Sequence, residues 1–130
     1  MLASYLVELK RTLVIRMITF ACKRIRQEEL IRCSFNLNKT EYNVLMFILK
    51  RSGNCTVSMV SESMGLERTT VQKAVKTLFK RRLVKRMQKN LSKGGYIYYY
   101  KISNKNEIKN EMKNIVYMWY KGVEKEIGKL

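Results

Sequence analysis

Between residues 68 and 76 the chain reads Arg-Thr-Thr-Val-Gln-Lys-Ala-Val-Lys, which places Arg68, Thr69, Thr70, Gln72, Lys73 and Lys76 around the apolar Val71 and Val75. These polar side chains share one chemistry. A guanidinium pairs bidentately with the two major-groove acceptors of guanine, and a glutamine amide pairs with adenine. A threonine reaches a phosphate or a thymine methyl. If the segment is helical, Val71, Val75 and Leu78 bury one face and the polar set points outward. Taken alone, that pattern also describes an ordinary amphipathic helix with a solvated basic face, so the surrounding elements decide.

A second group follows at once. Arg82, Lys85, Arg86, Lys89 and Lys93 are cations spread over a segment whose character alternates with period two, from Val84 to Leu91 and again from Tyr96 to Ile102. Two alternating runs joined by Ser92-Lys-Gly-Gly95 predict a hairpin. Gly94 and Gly95 permit a tight loop and a close approach of backbone to phosphate. Lys89 and Lys93 would supply charge to a phosphate backbone or a minor groove. Tyr96, Tyr98, Tyr100 and Ile102 share one face. Most of these tyrosines are expected to be β-favouring packing residues, and Tyr96, beside the tip, is the one assigned to a nucleic-acid contact. Solubility alone could explain Lys80-Arg-Arg82 and Lys85-Arg86, but their place between helix and hairpin favours backbone contact.

The charge balance supports a polyanionic partner. Lys and Arg number 27 against 10 acidic residues, all glutamate, there is no histidine, and the net charge is +17. Residues 37–103 hold fourteen of the cations against three glutamates, so the charge is not a basic tail. Nucleic acid and an anionic membrane surface are the two candidates. Glu8, Lys10, Arg11 and Arg16 interrupt the apolar N-terminal stretch, which excludes a membrane span and a secretory signal there and makes a cytoplasmic location the expectation. Cys22, Cys33 and Cys55 are odd in number and lack metal-type spacing, so neither a disulfide framework nor a metal site is expected. Without histidine or aspartate the usual general acids and bases are nearly absent, so no enzymatic activity and no cofactor are expected.

The elements that position these groups follow from periodicity. Leu2, Leu6, Leu9, Leu13, Met17 and Phe20 recur at steps of three and four, predicting one long helix to about Arg32. On such a helix Cys22 and Cys33 lie about three turns apart and are expected as buried small-residue packing. A thiol switch at Cys22, Cys33 or Cys55 is left open. Asn38 and Glu41 form a capping box for a second helix with Tyr42, Leu45, Met46 and Leu49 inward, ended by Ser52-Gly-Asn54. Val57, Val60 and Met64 predict a short helix ending at Gly65, and Val71, Val75, Leu78 and Phe79 a longer one after Leu66. Two helices across a glycine-containing turn make a helix-turn-helix. Ser103 or Asn104, with Glu107 behind it, caps a last helix striped by Ile108, Met112, Ile115, Trp119, Val123 and Ile127.

The fold class is therefore mainly α with a small β-hairpin (α+β): a winged helix-turn-helix at 37–103 between an N-terminal helix at 1–36 and a C-terminal helix at 104–130. On Val60-Ser-Glu-Ser-Met-Gly-Leu66, Arg68-Thr-Thr-Val-Gln-Lys-Ala-Val75, Leu78 and Leu83-Val84, residues 37–103 resemble the winged helix-turn-helix domains of archaeal and bacterial transcription regulators of the MarR and TrmB-like kind. Many such domains end the recognition helix with a glycine where this chain has Arg82. The MarR wing carries an Asp-Arg pair where this chain has Lys93-Gly-Gly-Tyr96, which favours a TrmB-like or other archaeal branch. The resemblance implies a cytoplasmic regulator that binds double-stranded DNA as a homodimer, its terminal helices serving dimerisation. Leu2, Leu6, Leu9 and Leu13 would meet Ile115, Trp119, Val123 and Ile127 across a two-fold axis. A small-molecule effector would need a cleft between those helices and the winged helix. An architectural DNA-coating protein and a protein–protein interaction module on a winged-helix scaffold are the alternatives.

Overall fold

Asn38 and Glu41 set the start of a core helix by reciprocal capping. The Glu41 amide donates to Asn38 Oδ1 at 2.8 Å, and the Asn38 amide donates to Glu41 Oε1 at 2.8 Å. The computed structural model describes residues 17–51 and 53–130. Along them run β1 (Met17–Phe20), β2 (Lys23–Arg26), α1 (Gln27–Phe35), α2 (Lys39–Arg51), α3 (Val57–Met64), α4 (Arg68–Lys80), β3 (Val84–Asn90), β4 (Tyr96–Ile102) and α5 (Lys105–Ile127). The predicted helix-turn-helix and hairpin are thus in place as α3, α4, β3 and β4.

Helices α2, α3 and α4 enclose the core, where Val44, Ile48, Val60, Val71, Val75 and Leu78 are buried together with Leu83 and Val84. On α2 the inward face was expected at Tyr42, Leu45, Met46 and Leu49. It centres instead on Val44, Leu45 and Ile48, with the other three half-buried. The helix is covered on two sides, by α4 and by β4, so its apolar arc is wider than one stripe. Thr56 caps α3 by accepting the Met59 amide at 3.2 Å, and Gly65 ends it in the left-handed conformation.

Strand β4 lies between two partners. It pairs antiparallel with β3 along its length, and its Tyr100 exchanges two backbone hydrogen bonds with Cys55, at 2.8 and 2.7 Å. Cys55 is fully buried there, and burial pushes its thiol up from the ordinary value, which keeps it a neutral packing group.

The N-terminal expectation needs correction. The single helix to about Arg32 is replaced, from Met17 to Arg26, by a β1–β2 hairpin with Ile18 opposite Ile25, and the helix begins only at Gln27. Short apolar runs do not distinguish helix from strand by spacing alone, and Ile18, Thr19 and Ile25 are β-branched residues that favour the extended chain. Cys22 sits exposed in the turn and Cys33 exposed on α1, so the expected burial and shared face of these two thiols are not found. Leu2, Leu6, Leu9 and Leu13 lie outside the described residues.

The last helix is anchored at its start. The Ser103 amide donates to the Leu83 carbonyl at 3.0 Å, and Asn104 Oδ1 accepts the Asn106 amide at 2.8 Å. Ile108, Met112 and Ile115 then pack on the core. Among the described residues no helix is long and apolar enough to cross a membrane.

Candidate nucleic-acid interface

Helix α4 divides as its sequence predicts. Val71, Ala74, Val75 and Leu78 are buried, Arg68, Thr69, Gln72, Lys73 and Lys76 are exposed, and Thr70 is half-buried. Phe79, expected on the apolar side, is instead 40% exposed. It lies at the margin of the buried stripe, beside the wing. The six polar candidates occupy the outer face from the first turn onward, where an α-helix lying in a major groove meets base edges.

The helix ends in a Schellman motif. The Leu83 amide reaches back to the Leu78 carbonyl and the Arg82 amide to the Phe79 carbonyl, both at 3.0 Å. Arg82 holds the left-handed position at φ 61°, and its side chain is exposed. Leu78 and Leu83 bury the apolar contact that accompanies this motif. The chain therefore leaves α4 in a defined direction and enters β3 directly.

In the wing, Val84 faces Ile102, Lys85 faces Lys101, Arg86 faces Tyr100, Gln88 faces Tyr98 and Asn90 faces Tyr96. At the tip the Leu91 amide donates to the Gly95 carbonyl at 2.9 Å, with Gly94 and Gly95 at φ 93° and 82°. Both values lie in the region that side chains rarely adopt, which is why a Gly-Gly pair stands here. Tyr100 is buried, Tyr98 half-buried and Tyr96 57% exposed, a gradient from hydrophobic base to open tip. The rings of Tyr96 and Tyr98 meet edge to face, centroids 5.1 Å apart. The Arg86 guanidinium lies over two rings, 4.5 Å from the centre of Phe79 and 4.4 Å from that of Tyr98. Lys85, Lys89 and Lys93 are exposed along the hairpin.

The register adds Lys101, which the sequence reading had not assigned. It is exposed and sits directly opposite Lys85, a like-charge pairing that destabilises a sheet unless an anion intervenes. Alternation sets Lys101 opposite the face of Tyr98 and Tyr100, but only the strand register sets it directly across from Lys85.

Unneutralised charge unites these elements. Among the described residues every ion pair involves a glutamate of α1 or α5 (Glu28, Glu29, Glu124 and Glu126), and no cation of α4, of residues 80–82 or of the wing is paired with a carboxylate. The exposed cations of the helix face and of the adjoining hairpin thus form a basic surface without carboxylate partners.

The proposed dimer stripe divides in two. Ile115 packs against the chain's own core, whereas Trp119 is 60% exposed and Ile127 is also open. Trp119, Gly122, Val123, Glu126, Ile127 and Leu130 line a shallow, mostly apolar groove of about 490 Å³.

Over 103 residues the chain is 32% identical to an uncharacterized protein of Methanocaldococcus jannaschii, covering 79% of this chain and 77% of that one. It superposes on the structure of a possible transcriptional regulator from Methanosarcina mazei Go1 with a TM-score of 0.81 and 38% identity, covering 87% of this chain and 95% of the other. It shares its fold with a MepR mutant from S. aureus bound to an oligodeoxyribonucleotide, at a TM-score of 0.52 and 10% identity, covering 98% of this chain and 83% of that one. Fold and relatives are those of winged-helix transcriptional regulators. The model of the sugar-specific transcriptional regulator TrmB matches residues 31–106, more than half of the chain, and the chain belongs to that family.

Proposed function

We propose that this protein is a cytoplasmic homodimer that binds double-stranded DNA sequence-specifically and thereby regulates transcription. Residues 37–103 form the DNA-binding domain, and residues 1–36 and 104–130 serve dimerisation. In this reading α4 enters the major groove, with Arg68, Thr69, Thr70, Gln72, Lys73 and Lys76 toward base edges and phosphates. The wing follows the backbone or minor groove through Arg82, Lys85, Lys89, Lys93 and Lys101, with Gly94, Gly95 and Tyr96 at its tip. The observation that carries the reading is the continuous run of cations on α4 and the wing with no carboxylate among them. A surface that repels itself in this way is stabilised when phosphates replace its counterions. The oligodeoxyribonucleotide on the MepR mutant supports the same use of the fold.

The exposed Trp119 and Ile127, with the half-buried Val123 between them along one groove, support a homodimer. Two-fold pairing would place two α4 helices on one face of the duplex about 34–36 Å apart, so the operator is expected to be an imperfect inverted repeat. The test is selection of bound genomic fragments at near-physiological salt, with wild type and Gln72→Ala side by side. The wild type should return a motif, and the variant should lose preference at particular base pairs at a cost of roughly 1–3 kcal/mol per bidentate contact. Recovery of fragments without any shared motif would favour architectural coating instead. Lys93→Ala should weaken binding to all sequences alike and lower the salt slope by about one contact.

A further inference from the structure

Arg86 differs from the other cations of the basic surface. Its guanidinium lies over the Phe79 ring of α4 at 4.5 Å and over the Tyr98 ring of β4 at 4.4 Å, while Arg86 itself belongs to β3. Three elements therefore meet at one planar cation. Tyr98 continues the contact outward through its edge-to-face packing on Tyr96, 5.1 Å away at the hairpin tip. Among the described residues no carboxylate pairs with Arg86, so attraction to the rings is what holds it. The register explains the reach: Arg86 faces Tyr100 and Tyr98 faces Gln88, so Arg86 and Tyr98 are diagonal neighbours on one face of the hairpin. It also explains an otherwise costly residue, since Phe79 is left 40% exposed at the end of α4, where a polar side chain would be better solvated.

Among the described residues the wing is held at its base, where Tyr98 and Ile102 pack on the core, and its outer part has less to orient it. Val84 and Tyr100 are buried, but from Lys85 to Tyr96 every residue is exposed. A two-stranded hairpin extending into solvent is marginal and free to swing. We infer that Arg86 is a positioning residue, a pin that fixes the angle between α4 and the wing by bridging Phe79 and Tyr98, rather than one more phosphate ligand. Its consequence for binding rests on the DNA reading above. With the angle preset, Lys89 and Lys93 reach the backbone at the moment α4 seats in the groove, and no ordering of the hairpin is needed on binding.

The proposal is tested in the full chain with Arg86→Lys, which keeps the charge but loses the planar guanidinium, and Phe79→Leu, which changes no charge. Neither residue is part of the buried core. In the free protein the amides of β3 and β4 should exchange with solvent about tenfold faster in Arg86→Lys, the scale of two partly exposed cation–π contacts, and about threefold faster in Phe79→Leu, the scale of one, while the amides of α4 keep their wild-type rates. With sheared double-stranded DNA of mixed sequence, both variants should lower the salt slope by about two contacts, because Lys89 and Lys93 disengage together. The double variant should be no worse than Arg86→Lys alone, and Phe79→Tyr, which retains a ring, should match wild type in both measurements. Unchanged wing exchange in Arg86→Lys and Phe79→Leu overturns the proposal. So does weaker DNA binding by Arg86→Lys with Phe79→Leu silent, since that makes Arg86 an ordinary phosphate ligand. Faster wing exchange in a protein whose wild type binds no duplex would sustain the pin and overturn the DNA reading alone.

Discussion

Arg82 holds a left-handed backbone at φ 61°, in the position of a Schellman motif usually filled by glycine. The two other described helix ends of this kind use Asn36 and Gly65, residues that tolerate the conformation. An arginine there costs about 1 kcal/mol relative to glycine, and among the described residues its side chain makes no hydrogen bond or ion pair that would offset it. In the proposed DNA complex the exposed guanidinium at the root of the wing would be placed to contact phosphate. Arg82→Gly should therefore raise unfolding stability by about 1 kcal/mol in denaturant titration, the cost just given. The same variant should bind duplex DNA less tightly, with a salt slope smaller by about one. Single side chains were legible in the sequence where burial depends on local spacing, as with Val71, Val75 and Leu78. They were not legible where a second element decides: Phe79 and Arg86 meet only because β3 turns back beside α4, and Lys85 faces Lys101 only through the register.

At the scale of elements, local hydrogen-bond chemistry separates what could be foreseen from what could not. The Asn38–Glu41 box, the Gly65 stop and the Gly94-Gly95 tip are all signalled by residues whose backbone or side-chain preferences act within a few positions, and all three elements formed as expected. The stretch before Gln27 lacks such signals, and its apolar spacing fits a helix as well as a hairpin. There α1 is held to α2 by a side-chain contact across eleven positions, Lys39 Nζ to Glu28 Oε1 at 2.6 Å, with Arg32 Nη1 at 3.5 Å on the other oxygen. The Lys39 ammonium holds the Glu28 carboxyl below the usual carboxylate range, against the opposing effect of desolvation. A carboxylate whose value is depressed in the folded state stabilises the fold above its unfolded value, and that contribution is lost as pH falls through the folded one. Glu28→Gln should thus unfold at lower denaturant concentration than wild type at neutral pH. The two curves should converge in acid below the ordinary carboxylate value, and a gap that persists there would mean that packing rather than charge joins α1 to α2.

The chain is strongly cationic, net +17, and among the described residues it exposes apolar side chains of α5 at its C-terminal end. The helical period of α5 was plain in the sequence. The division of its stripe was not, because how far the chain's own core reaches along a helix depends on tertiary packing: it covers Ile108, Met112 and Ile115 and stops. Beyond that point Trp119, Val123 and Ile127 recur at steps of four; among the described residues Trp119 and Ile127 are left exposed and Val123 half-buried, and Trp119 has the largest side chain on the helix. Self-repulsion works against association of two such charged chains, so a dimer would need its seam to be apolar and away from the basic surface. The C-terminal half of α5 meets the first of these, and its charges are nearly balanced by Glu124 and Glu126, which pair with Lys121 and Lys129. Trp119→Glu would bury a carboxylate in that seam with no cation directed at it, a penalty large enough to part the subunits. Sedimentation should show a dimer for wild type and a monomer for the variant. The variant should keep the wild-type fold by circular dichroism, since Trp119 is outside the core. It should bind a half-site weakly and lose the preference for inverted repeats, because one α4 helix then reads the duplex alone. A wild type that sediments as a monomer at micromolar concentration would remove the two-fold arrangement and with it the expectation of a palindromic operator.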